Sequence, residues 1–502
     1  MPPPLSTPSS GPAPFASKAV ILSAAACLAL SLIVFFCRGT AAFQAAHTAP
    51  GIAVTSGYEE ESWFALWRAI HDQPVYADTS RQPYASAYFN WLFYATYGAV
   101  TGPFAVHRGD ATIPAAGRVF TALWALAGGA GLLLLFRRII GEGCLPAAGL
   151  AAMVFAGPLV GWWAHTVRPD VAALALECSA LVILLLRPLR HWLANALLPA
   201  LLFYAAWSFK QTYVMGLASA LLFLAVRREW PPTVVLLVTS LVLWAATFLL
   251  QGPAYRAAFQ STASTNVYFL SLGLRSLGDM LMKTSPLWLL IAALGLRNKA
   301  PAPVLNTQLP RDTLLLGSLG LLVALPLAFV ASCKLGAATY YHFTSSAMLA
   351  FVASGLLATR RATAWPLTAA LLLAAGLQAL ALVGMAGQVS LADQSLRLSS
   401  LWTRWQTEPE PRFSHLTGFN LPWISPSSPP LVLAFNYPLD RERGRFFEHD
   451  GVGGLIAAGH FQSLLLPAET GDHYDGGSLR AYQRGITVGD MTLFRRKEKA
   501  GR

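Results

Sequence analysis

The sequence predicts an α-helical polytopic membrane protein: about eleven transmembrane helices, a large first extracytoplasmic loop containing interfacial helices, and a small mixed α/β C-terminal domain. Three observations predict it. Of 502 residues, 55% are hydrophobic and only 12% charged, against about 25% charged in an average soluble protein. The mean hydropathy is +0.49. The apolar residues gather in blocks of about 17–24, the length that crosses a hydrocarbon core of about 30 Å.

The blocks run over 19–37, 118–136, 145–164, 171–187, 192–208, 211–226, 232–250, 282–296, 313–332, 343–359 and 365–387. A twelfth candidate, 84–106, holds Asn90 and many aromatics, which suit the headgroup level. Charge placement decides its status. Basic residues cluster at Arg137/Arg138, Arg187/Arg190, Arg227/Arg228, Arg297/Lys299 and Arg360/Arg361. With eleven spans and residue 1 inside, all of them fall in cytoplasmic loops, as the positive-inside tendency requires. A full span at 84–106 would move them outside, so this segment is expected to lie flat in the outer interface.

Three regions follow. Residues 1–18 form a disordered cytoplasmic N-terminus, its first 16 residues rich in Pro, Ser and Ala. Residues 19–390 form the membrane body, with a first external loop at 38–117. Residues 391–502 form an extracytoplasmic domain, with proline-rich linkers and strand-like runs at Leu431–Asn436 and Ile486–Phe494. The localisation expected is a bacterial inner membrane, N-terminus cytoplasmic and C-terminus extracytoplasmic.

The net charge of +12 would suggest nucleic acid in a soluble protein; here it reports loop orientation. Cys27, Cys37, Cys144, Cys178 and Cys333 show no paired metal spacing. Walker loops, dinucleotide fingerprints and serine-nucleophile elbows are absent from the sequence.

The residues with chemical potential gather at the external edges. The first loop carries Glu59, Glu60 and Glu61, then Trp63, Trp67, Tyr76 and Asp78. Mutual repulsion raises the first pKa values of such a carboxylate run, which suits a general base; most acidic triplets, however, are solvated loop edges. Later external turns carry His165, Arg168 and Asp170; Lys210 and Gln211; and Lys334, Tyr340, Tyr341 and His342. Arg and Lys at this depth can hold a phosphate, although single basic residues at helix ends commonly snorkel. Convergence on one face favours function. Glu177 sits seven residues after Asp170 on the same helix face, where a structural hydrogen bond is as good a reading as a functional one.

At these residues the sequence resembles the GT-C superfamily of membrane glycosyltransferases, in its protein mannosyltransferase and aminoarabinose-transferase-like branch. Glu59-Glu60 stand where that family has an acidic pair. Pro74, Tyr76 and Asp78 match a second element about seventeen residues on, whose usual glycine is replaced by Asp72 or Gln73. Arg118, Arg137/Arg138, Arg168-Pro169-Asp170 and Lys210-Gln211-Thr212 follow the pattern. The resemblance covers roughly 19–390 in layout. It implies transfer of a sugar from a polyprenyl-phosphate-linked donor to a glycan, lipid or protein acceptor on the extracytoplasmic side. Glu59 would stand at the catalytic acidic position, beside Glu60, with Asp78 a second acidic group; the choice among Glu59, Glu60 and Glu61 stays open. Arg168, Asp170, Lys210, Gln211, Tyr76, Tyr341 and His342 would line the substrate site. No metal or other cofactor is expected, and no nucleic acid. The competing readings are a transporter or flippase of a lipid-linked sugar, and a non-catalytic assembly protein of the same architecture.

Overall fold

Each of the eleven apolar blocks carries an α-helix in the computed structural model, which describes residues 17–48, 51, 53, 59–85, 87–140, 144–264, 267–296, 308–359, 364–387, 400–433 and 437–497. The expected N-terminal disorder at 1–16 and the basic residues Arg297, Lys299, Arg360 and Arg361 lie outside the described residues.

The membrane body is built from α1 (Lys18–Thr48), α2 (Glu59–Ile70), α3 (Trp91–Arg108), α4 (Ile113–Ile140), α5 (Cys144–Phe155), α6 (Asp170–Leu186), α7 (Trp192–Phe209), α8 (Met215–Val226), α9 (Trp230–Leu250), α10 (Gly252–Ser264), α11 (Leu270–Lys283), α12 (Ser285–Gly295), α13 (Gln308–Ser332), α14 (Phe343–Thr359) and α15 (Ala364–Gly387). Among the described residues, α1, α4, α7, α9, α13, α14 and α15 are long and apolar enough to cross a bilayer, the α4 and α14 spans counted with the short 3₁₀ turns before them; α11 and α12, bent by 69°, form an eighth span if taken together. Helices α5 and α8 are apolar but shorter. Helix α14 is enclosed by the others, whereas α9 exposes Val234, Val238, Leu241, Val242, Leu249 and Leu250. An apolar surface of that kind belongs in lipid.

Several boundaries move for identifiable reasons. Helix α1 runs past Arg38 to Thr48, because the Ala-rich stretch after Gly39 contains good helix formers and no proline. The block 145–164 is not one helix: α5 ends at Phe155, Gly157 and Pro158 follow, and a 3₁₀ turn spans Gly161–His165. Proline cannot donate to the helical ladder, which explains the break. Segment 84–106 yields α3, which is not among the seven helices apolar enough to cross. Between α9 and α12 the chain forms α10 and α11.

After a helix over 400–407 (α16), the C-terminal part forms a four-stranded sheet of β1 (Arg412–Ser414), β2 (Ser463–Pro467), β5 (Tyr482–Val488) and β6 (Met491–Arg496) in the order β1-β2-β6-β5. Strand β1 is parallel to β2; the other pairs are antiparallel. A small ribbon of β3 (His473–Tyr474) and β4 (Gly477–Ser478) and the helices α17 (Tyr437–Glu442) and α18 (Gly451–Ala457) complete it. The run Ile486–Phe494 is thus two strands joined at Gly489 and Asp490. The expected strand at Leu431–Asn436 does not form in its described part: Leu431 and Val432 are buried without ladder partners, directly after Pro429 and Pro430.

The first loop reaches this domain. Glu448 donates its backbone N–H to the Ser80 carbonyl (2.8 Å), and the Tyr84 hydroxyl donates to the Glu448 carbonyl (2.6 Å). The Tyr84 ring packs against Tyr437 and Phe447.

Candidate functional site: a basic cleft at the helix ends

Helices α6 and α7 are antiparallel neighbours, so the N-terminus of α6 lies beside the C-terminus of α7. Pro169 precedes α6 with φ −74°, already close to helical. Asp170 then occupies the first turn, where the helix dipole favours a negative charge, and Lys210 follows Phe209 at the C-terminal end, where it favours a positive one. The two charges meet: Lys210 Nζ lies 2.5 Å from Asp170 Oδ1, and Arg168 Nε lies 3.2 Å from Asp170 Oδ2. All three side chains are at least 95% buried. The Tyr213 hydroxyl donates to the Asp170 carbonyl (2.7 Å), tying down the same turn.

Arg168 and Lys210 line an open cleft of about 520 Å³, mouth included, with Asp170 behind them. Its cations are Arg168, Lys210 and Lys334; its walls include Tyr88, Phe89, Tyr340 and Tyr341. Aromatic faces hold the cations in place. Lys210 Nζ lies 3.6 Å from the centre of the Tyr340 ring, and the Arg168 guanidinium stacks over Trp163 (4.5 Å) and Tyr340 (4.8 Å). Burial pulls the Lys210 ammonium down to about 7, a pull that Asp170 opposes, and burial takes Lys334 down to about 8. Three cations against one carboxylate leave the cleft positive, and an incoming phosphate would restore the ammonium charges.

Five of the residues expected from the sequence therefore meet here: Arg168, Asp170, Lys210, Gln211 and Tyr341. Gln211 donates its amide to the Tyr88 carbonyl (2.9 Å), and the Tyr76 hydroxyl to the Phe89 carbonyl (3.0 Å), so both brace the 88–89 wall. Tyr76 itself packs edge-on to Tyr94 and Tyr255. His342 is fully buried in the 3₁₀ turn Thr339–His342 and does not line the cleft; neither ring nitrogen has a hydrogen-bond partner among the described residues. Asp78 also lies off the cleft lining. It accepts from the Ser80 N–H (2.9 Å) and hydroxyl (2.8 Å), which hold its carboxyl below the usual range.

The acidic triplet opens α2 and separates into distinct environments. Glu59 is fully buried, accepting from Arg118 Nε (3.1 Å) and Nη2 (3.4 Å) and from the Val167 N–H (3.0 Å). Arg118 also donates to the Ala42 carbonyl (2.7 Å), so the pair joins α1, α2, α4 and the turn that carries Arg168. Gly117 permits this approach, since a Cβ there would stand 2.8 Å from the Val167 side chain. Glu60 keeps part of its surface open, yet burial of its carboxyl, helped by the neighbouring Glu59, raises it to about 7. Glu61 is buried. Farther down α6, Glu177 accepts from the Gly216 N–H (2.6 Å) and the Thr344 hydroxyl (2.5 Å), joining α6, α8 and α14.

Sequence reasoning undervalued Lys334, Trp163 and Tyr340. Lys334 did show a signal, as the solitary cation in the turn after α13. The stacking roles of Trp163 and Tyr340 had none, since aromatics at that depth ordinarily anchor the interface. Among the described residues no three His, Cys, Asp or Glu cluster as a metal-ligand set.

This multi-helix membrane body, joined to a small α/β domain, has a fold that recurs among solved structures. The solved structures it matches include ArnT from Cupriavidus metallidurans in the apo state, with a TM-score of 0.58 at 13% identity over 93% of this chain and 96% of that one. ArnT bound to undecaprenyl phosphate matches with a TM-score of 0.59, again at 13% identity, over 95% and 98%. The shared fold thus extends beyond the membrane body into the C-terminal domain. No protein-family model matches the sequence, and no curated protein matches it.

Proposed function

We propose that the chain is a membrane glycosyltransferase that moves a sugar from a polyprenyl-phosphate-linked donor to an acceptor hydroxyl on the extracytoplasmic side. One observation carries this reading: Arg168, Lys210 and Lys334 converge in one cleft on a fold whose relative ArnT is described in complex with undecaprenyl phosphate. The donor phosphate would sit against these cations, with its sugar toward the first loop. When the acceptor oxygen attacks the anomeric carbon, the bond from that carbon to the phosphate oxygen breaks. Its electron pair goes to the phosphate, whose growing charge the cations stabilise.

The acceptor proton passes to a carboxylate. Glu59 is engaged by Arg118 and Val167, which suits a positioning role. Glu60, raised to about 7, is matched to accept a proton near neutral pH. Glu60 is therefore proposed as the base and Glu59 as the residue that sets the start of α2, with Asp78 farther out on the loop.

The test compares lipid-linked sugars and envelope glycans by mass spectrometry in cells with and without the protein. A polyprenyl-phosphate sugar accumulating in its absence, together with loss of one sugar substituent, supports the reading. Unchanged profiles overturn it, as does movement of the lipid-linked sugar across vesicles by pure protein without any transfer.

A further inference from the structure

A second groove, separate from the basic cleft, runs along the membrane body between α1, α4 and α5. Its walls are apolar: Leu28, Leu32 and Phe35 come from α1, Gly129 and Leu133 from α4, and Ala152 from α5. Small side chains on α4 and α5 open it to about 620 Å³, mouth included. At this depth only hydrocarbon can fill such a space favourably.

Leu28, Leu32 and Phe35 recur on one face of α1, and the next residue on that stripe is Arg38. Its side chain is only 7% exposed, Nε is enclosed without a partner, and no ion pair reaches it among the described residues. The guanidinium lies 5.8 Å from the Trp162 ring. Gly161, at φ +49°, lies beside it: a Cβ there would be in ordinary contact, 3.6 Å from Arg38 Nη1. The other polar groups at this end are His165, whose ring lies 4.5 Å from Phe35, and Arg118, already committed to Glu59. The Glu59 carboxylate is taken up by Arg118 and the Val167 N–H, and among the described residues no carboxylate pairs with Arg38. Trp162 and its neighbour Trp163 hold two different guanidinium groups, Arg38 and Arg168, so the 3₁₀ turn Gly161–His165 stands between two cationic sites.

We propose that this groove is an anionic-lipid site, with one hydrocarbon chain along α1, α4 and α5 and a phosphate headgroup on Arg38. A buried guanidinium is costly without a counter-charge, and a phosphate at the head of an apolar channel supplies one by charge-assisted hydrogen bonds. The proposal goes beyond the donor cleft and stands whether or not that cleft takes a lipid-linked sugar.

Native mass spectrometry of the full chain, equilibrated with phosphatidylglycerol or phosphatidylcholine, tests it. One retained phosphatidylglycerol is expected, surviving Lys210→Ala, weakened about tenfold by Arg38→Gln, and partly restored by Arg38→Lys. Ala130→Phe, at an exposed position lining the groove, should displace the lipid while Arg38 remains. If Arg38→Gln does not fold, Ala130→Phe decides alone. Equal retention of phosphatidylcholine, retention unchanged in Arg38→Gln or in Ala130→Phe, or a dimer carrying no lipid would overturn the proposal.

Discussion

Lys210 and Asp170 form a buried ion pair, Nζ to Oδ1 at 2.5 Å, at the point where the end of one membrane helix meets the start of another. Asp170 also takes Arg168, so one carboxylate holds two cations under the cleft. Converting it to Asn removes the carboxylate that the buried guanidinium and ammonium share. Breaking a buried pair in this way costs about 3–5 kcal/mol. Thermal unfolding of Asp170→Asn should fall well below that of the wild type, and Asp170→Asn/Lys210→Met should recover part of the loss.

Lys210 itself is expected to act on the phosphate. Lys210→Ala leaves Asp170 paired with Arg168, so the protein should stay folded. Sugar transfer should drop by about 10²–10³-fold, the scale of losing one donor to developing charge in a water-poor site. Lys210→Arg should retain more activity than Lys210→Ala. Steady-state kinetics with a polyprenyl-phosphate sugar checks both.

The proposed base and the cations titrate in neighbouring ranges with opposite signs. Glu60, raised to about 7, accepts a proton only when ionised, so kcat/KM should rise as pH increases through about 7. Lys210, lowered to about 7, loses charge over that same range and Lys334, lowered to about 8, just above it, so phosphate affinity and kcat/KM should fall again above about 8. A bell-shaped profile is expected. Glu60→Gln should remove the ascending limb and Lys334→Arg should flatten the descending one.

Glu60 also has a stability signature. Burial holds its folded-state pKa above the ordinary carboxyl value of about 4.5, so the folded chain holds a proton that the unfolded chain has released between about pH 4.5 and 7. Ionisation therefore destabilises the fold progressively across that window. Glu60→Gln should melt higher than the wild type at pH 8, and the difference should shrink toward pH 4.5.

Tyr84 tests the link between the first loop and the C-terminal domain. Removing the hydroxyl that donates to the Glu448 carbonyl should cost about 1 kcal/mol and speed hydrogen exchange over residues 79–85. The ring contacts with Tyr437 and Phe447 remain in Tyr84→Phe, whereas Tyr84→Ala should release the loop further.

The sequence by itself determined the membrane character, the helical blocks and the end of the bundle where polar residues collect. Each rests on a local property: the run length of apolar residues, or a charge at a helix edge. It also marked Arg168, Asp170, Lys210 and Gln211, because each lies in a short turn between apolar blocks. Only the tertiary structure decided that these turns share one cleft with Lys334, that Glu59 faces Arg118 while Glu60 keeps an open side, and that Asp78 turns to Ser80. Those outcomes depend on which helices are neighbours. Helix neighbours are selected by the packing of small residues against bulky ones, as where Gly117 admits Val167. No single stretch of chain records such a choice, because each contact joins residues distant in the sequence.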